Sequence, residues 1–150
     1  MIENQTPSTS AGTPKRPRIL VVEDDVHARL LAVEFLTNDY QVLEAGTADE
    51  AVTILAENHD VDLVFSDVRM PGTMNGLGLA RWVEAHYPSL PVLLVSGYVG
   101  TNDEIDGYQP RWPLVAKPYS YMQLLCKIAD MLGLRGEGGS VAKFGLQRNS

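Results

Sequence analysis

The sequence predicts an α/β domain: a doubly wound, five-stranded parallel sheet with helices on both faces. Three observations predict it. Short, nearly continuous apolar runs of strand length recur along the chain, the pattern of strands covered on both sides. Segments with helical spacing or helix-capping sequences alternate with them, as in successive strand–helix–strand units. Finally, four of the runs stop abruptly on residues with useful chemistry, and ligands of parallel sheets bind just beyond the carboxyl ends of the strands.

The elements follow in order. Arg18-Ile-Leu-Val-Val22 is the first strand and runs into Glu23-Asp24-Asp25. Val26–Asn38 is densely apolar without a breaker and forms the first helix, with Asp25 as its N-cap. Tyr40–Ala45 is a short second strand. Thr47-Ala-Asp-Glu50 is a capping box, in which the Thr hydroxyl accepts from the backbone three residues on and the Glu reaches back. The helix it opens sets Ala48, Ala51, Val52, Leu55 and Ala56 on one face.

Val61-Asp-Leu-Val-Phe65 is the third strand and leads into Ser66-Asp67. Gly76–Tyr87 is the third helix, ended by Pro88. Pro91-Val-Leu-Leu-Val95 is the fourth strand and stops at Ser96-Gly97. Between Tyr98 and Pro113 the pattern weakens: Gly100, Gly107, Pro110 and Pro113 leave only Thr101–Asp106 for a short, poorly formed helix or a loop. Leu114-Val-Ala116 is the fifth strand and ends at Lys117-Pro118. Ser120-Tyr-Met-Gln123 is a second capping box, opening a last helix with Leu124, Leu125, Ile128, Ala129 and Leu132 inward.

At 150 residues, with 45% hydrophobic and 21% charged residues, the chain suits one globular domain. Residues 1–17 read as a disordered leader, 18–134 as the folded domain and 135–150 as a flexible tail. No apolar stretch reaches the length of a membrane span and the N-terminus lacks a signal-peptide core. The single Cys126 fits a reducing cytoplasm and reads as a small buried apolar residue on a helix. The net charge of −7 is unevenly spread: residues 1–18 and 135–150 are each +2, so positions 19–134 hold 6 basic and 17 acidic residues. A core this acidic repels nucleic acid. Neither nucleic-acid binding nor membrane insertion is expected.

If the strands are parallel, Glu23, Asp24, Asp67, Ser96 and Lys117 meet at one edge of the sheet. Clustered carboxylates repel unless a cation fills the gap between them. An all-oxygen set favours Mg2+, and neither sulfur nor clustered histidine is present to favour zinc. Ser96 and Lys117 supply a hydroxyl and an ammonium for the oxygens of a phosphoryl group. A carboxylate serves as nucleophile in such a transfer, with the cations absorbing the developing charge.

With these residues in view, the chain resembles the response-regulator receiver domains of two-component signalling. The resemblance runs from about Arg18 to Leu132. It rests on Val-Val-Glu23-Asp24-Asp25, Ser66-Asp67-Val-Arg-Met-Pro71-Gly, Asn75-Gly76, Val-Ser96-Gly97-Tyr98 and Ala-Lys117-Pro118-Tyr119, in order and on the right elements. It implies a flavodoxin-like sheet of strand order 2-1-3-4-5. It also implies that Asp67 is phosphorylated by a histidine kinase or a histidine phosphotransfer protein, and that Glu23, Asp24 and the backbone carbonyl of Arg69 join Asp67 around Mg2+. Ser96 would be the switch hydroxyl, Lys117 the phosphoryl-binding lysine, and Lys117-Pro118 a cis peptide that aims the lysine. Such a domain is a phosphorylation switch, slow in its own phosphorylation and dephosphorylation, rather than an enzyme. Because little follows Leu132, a stand-alone regulator acting by protein contact is expected.

Several positions depart from the family pattern. The aromatic residue usual three before the lysine is Leu114 here, which reads as core. Tyr98 is the candidate substitute, against a solvent-facing Tyr of no consequence. The loop Met70-Pro-Gly-Thr-Met-Asn75-Gly76 is one residue longer than the common form. Arg69 sets a cation beside Asp67, to act on hydrolysis or to pair with a carboxylate. Trp82 reads as core or groove, and Trp112 as a core cap or a partner contact. Gly76-Leu-Gly78 lacks the third glycine of a dinucleotide loop, and His27, His59 and His86 share no metal-binding spacing. Three alternatives stand beside the main reading. They are a receiver fold that binds a partner without phosphorylation, a receiver segment of a hybrid histidine kinase, and a Mg2+-dependent aspartyl phosphatase. The last usually carries a second acid where Arg69 stands.

Overall fold

The computed structural model describes residues 16–97 and 111–133. Most of the leader, the stretch expected to hold a weak fourth helix, Tyr98 and the tail all lie outside the described residues. The described elements are β1 (Arg18–Val22), α1 (Val26–Thr37), β2 (Gln41–Ala45), α2 (Ala48–Glu57), β3 (Leu63–Asp67), α3 (Gly76–His86), β4 (Val92–Ser96), β5 (Leu114–Ala116) and α4 (Tyr121–Gly133). The five strands are parallel in the order β2-β1-β3-β4-β5. That is the 2-1-3-4-5 order of the flavodoxin-like fold.

Alternate residues of the central strands feed two cores, one on each side of the sheet. Leu20, Val22, Val64 and Leu94 pack with α2 and α3, whereas Ile19, Val21, Leu63, Phe65, Leu93 and Val95 pack with α1 and α4. Two-sided burial explains why β1, β3 and β4 read as unbroken apolar runs. The edge strand β5 does not share it: Leu114 and Val115 are partly buried and Ala116 is exposed.

The caps set the helix boundaries. Asp25 accepts from the Ala28 amide at 2.8 Å, and Ser120 and Gln123 exchange hydrogen bonds of 2.8 and 3.0 Å. At α2 the box is skewed: Thr47 accepts from Glu50, but the Glu50 carboxylate reaches past Thr47 to the Gly46 amide, 2.7 Å away. Ala56, expected inward on α2, and Cys126, expected buried on α4, are both exposed, each lying on the side of its helix turned from the sheet.

The third strand also shifts. Leu63–Asp67, rather than Val61–Phe65, forms the ladder. Asp62 instead closes the strand's start, its carboxylate accepting from the Arg18 amide at 2.9 Å and its own amide bonding the Arg18 carbonyl. Backbone pairing therefore carries through Asp67, in register with Val95. Ordered contact begins before β1: Arg16 donates to the Thr37 carbonyl at 3.0 Å, and the Gln41 amide donates to the Pro17 carbonyl. Among the described residues no helix is long and apolar enough to cross a membrane.

Candidate functional site

The parallel register brings the ends of β1, β3, β4 and β5 to one edge. Val22 pairs with Ser66, Asp67 with Val95, and Ser96 with Ala116. Each chemistry-bearing residue sits at or just past a strand end. One carboxylate oxygen from each of Glu23, Asp24 and Asp67 lies within 4.8 Å of the others. Asp24 is exposed, while Glu23 and Asp67 are 5% and 7% exposed. The Lys117 ammonium lies 3.1 Å from the Glu23 carboxylate and 3.7 Å from that of Asp67. The Lys117–Pro118 peptide is cis.

Electrostatics follow from this crowding. Burial disfavours the ionised Asp67, Glu23 repels it, and Lys117 only partly offsets both, so its pKa is pushed up to about 6. Burial pulls Lys117 downward, but its hydrogen bond to Glu23 and the charges of Asp67, Glu23 and Asp25 outweigh that and raise its pKa. Tyr119 is pushed up to about 12, first by burial and then by Glu23 and Asp67. One ammonium thus faces three carboxylates. The donors are all oxygen, with one exposed side, which fits a hard cation that keeps part of its water shell. Replacing Lys117 by methionine is expected to raise the Asp67 pKa above about 6, because the group lost stabilises the carboxylate. A pH titration of the side-chain carboxyl signals by NMR checks it.

Glu23 is held at every polar group. Its amide donates to the Ala45 carbonyl at 3.0 Å, one carboxylate oxygen accepts from the Asp25 amide at 3.2 Å, and the other accepts from Lys117. Its carbonyl accepts from Arg29 Nη1 at 2.7 Å. Arg29 escaped the sequence reading. The available signal was a rare cation in an acidic segment, one helical turn beyond the capped acidic turn. Ser66, wholly buried, donates to the Asp67 carbonyl at 3.0 Å. Behind the site, Tyr119 packs edge-on against Phe65 and Phe35.

The other expected residues fall as follows. Ser96 is buried, one position past the register partner of Asp67, and its carbonyl accepts from the Lys117 amide at 2.8 Å. Arg69 is exposed on the loop after β3. Leu114 pairs with Leu94 and packs on the core away from the site. Trp112 is buried in that core beneath an Arg111 guanidinium 4.7 Å from its ring, so it is a core cap. Trp82 is half-buried and stacks on His86.

Known proteins resemble this chain in sequence and in fold. Residues 19–129 match the response regulator receiver domain family. The chain is 45% identical over 85 residues to the two-component response regulator ARR14 of Arabidopsis thaliana, covering 55% of this chain and 22% of that protein. It is 33% identical over 129 residues to a chemotaxis protein CheY homolog of Campylobacter jejuni, covering 82% of this chain and 98% of that one. The crystal structure of the receiver domain of NtrX from Brucella abortus superposes with a TM-score of 0.69 at 27% identity, covering 77% of this chain and 98% of that one. The chain thus spans less than a quarter of the plant relative.

Proposed function

Since the chain belongs to the response regulator receiver domain family, a family of phosphorylation switches in two-component signalling, we propose that Asp67 is its phosphoacceptor. The donor is a phosphohistidine on a histidine kinase or a histidine phosphotransfer protein. The observation that carries the reading is the grouping of Glu23, Asp24 and Asp67 within 4.8 Å, with Lys117 3.7 Å from Asp67. In the transfer an Asp67 carboxylate oxygen forms a bond to phosphorus as the phosphorus–nitrogen bond breaks, and the imidazole leaves with the electron pair and takes up a proton. Glu23, Asp24, Asp67 and the Arg69 carbonyl would hold Mg2+, which when bound neutralises charge on the phosphoryl oxygens. Lys117 donates to one of those oxygens and Ser96 to another. Asp67 is ionised, and so nucleophilic, above its pKa of about 6.

Output then passes through protein contact, in a cytoplasmic, stand-alone regulator folded over about 18–134. The comparisons support the coarser reading equally for a receiver joined to further domains, as in the much longer plant relative. The test is incubation with Mg2+ and acetyl phosphate, followed by mass spectrometry. One phosphoryl adduct, stable in acid and labile in base, is expected in the wild type and absent in Asp67→Asn. An adduct that persists in Asp67→Asn excludes Asp67 as the acceptor. Binding of a partner equally well with and without beryllofluoride would instead favour a phosphorylation-independent module.

A further inference from the structure

Outside the acidic cluster, a single cation fixes the backbone on which that cluster is built. Arg29 Nη1 donates to the Glu23 carbonyl at 2.7 Å, and its Nε lies 3.3 Å from Glu44 at the end of β2. The guanidinium therefore ties the β1–α1 turn to the neighbouring strand. Its side chain is only 22% exposed, and the site of a Cβ on Gly46 lies 3.3 Å from Nη1, so the group is enclosed rather than free. Arg29 is one of six basic residues between positions 19 and 134.

We propose that Arg29 is a positioning residue for divalent-cation binding, acting through the Glu23 carbonyl to hold Glu23 and Asp24 in the geometry the cation needs. The inference rests on the metal reading above. Groups that orient metal ligands govern affinity without touching the ion. The alternative is that Arg29 merely adds positive charge near the cluster, and the two predict opposite signs. A bare charge repels a cation, so its removal tightens binding. A positioning group stabilises the bound arrangement, so its removal weakens binding.

The experiment is a MgCl2 titration at pH 8 followed by amide shifts of residues 23–29 and 66–69, on wild type, Arg29→Met and Arg29→Lys. Saturable binding by the wild type, with a Kd about tenfold weaker in Arg29→Met, is expected. Arg29→Lys keeps the charge and a donor but cannot fork between the carbonyl and Glu44, so it weakens binding less, by about threefold. Unchanged or tighter binding in folded Arg29→Met overturns the inference alone. If that variant does not fold, Arg29→Lys decides: binding equal to wild type overturns it. A wild type that shows no saturable shift overturns the metal reading and this inference with it.

Discussion

Replacing Gly76 by alanine is expected to destabilise the domain by about 3 kcal/mol or more, a large share of the roughly 5–15 kcal/mol by which domains are ordinarily stable. Gly76 opens α3, capped by Asn75, whose side chain accepts from the Gly78 amide at 2.9 Å. Its own amide donates to the Val68 carbonyl at 2.9 Å, which draws the helix start against the end of β3. A Cβ there would overlap the Asp67 carbonyl oxygen and lie 2.8 Å from both the Asp67 carbonyl carbon and the Val68 Cα. These are backbone atoms held by the sheet, so no rotamer change relieves the overlap. The gap must open by moving α3 or Asp67 itself. Thermal unfolding by circular dichroism reads the loss. Gly78→Ala, whose Cβ is crowded only by the flexible Met74 side chain at 2.8 Å and makes ordinary contact with Asn75 Oδ1 at 3.6 Å, is the milder comparison.

In the absence of divalent cations, Asp67→Asn is expected to be more stable than the wild type at pH 8, by ~2 kcal/mol, and to lose that advantage by pH 4. The folded-state pKa of Asp67 is about 6, against an ordinary 3.8. Between those values the folded protein binds the proton more tightly than the unfolded chain, so stability is greatest below about pH 4 and falls as pH rises through about 6. The gap of about two pKa units sets a ceiling of about 3 kcal/mol with the attraction of Lys117 already included, and an amide is an imperfect stand-in for the protonated carboxyl, which keeps the gain below that ceiling. The neutral amide keeps the shape and removes the repulsion. Urea denaturation at pH 4 and 8, with EDTA, measures the difference. Adding Mg2+ at pH 8 is expected to raise the wild type and to narrow the gap.

These expectations separate what was readable in the sequence from what was not. The order of elements, both capping boxes and the identity of the strand-end residues were legible, because periodicity and caps are interactions among residues a few positions apart. One strand expectation missed and another expectation stayed open between two readings. Val61 and Asp62 look like strand residues by composition, but Asp62 bonds across to Arg18 and the ladder starts at Leu63. Trp112 had no local context to place it, and its burial comes from the core beneath it.

The sequence by itself determined a parallel α/β sheet whose strands end in carboxylates, a hydroxyl and a lysine, since hydrophobic pattern and terminating residues are written locally. Tertiary structure alone decided how close they come. Lys117 meets Glu23 across 94 positions at 3.1 Å, Asp67 is buried enough for its pKa to reach about 6, and Arg29 clamps the Glu23 carbonyl. Register, desolvation and long-range contact fix those quantities, and none of the three exists until the chain has folded.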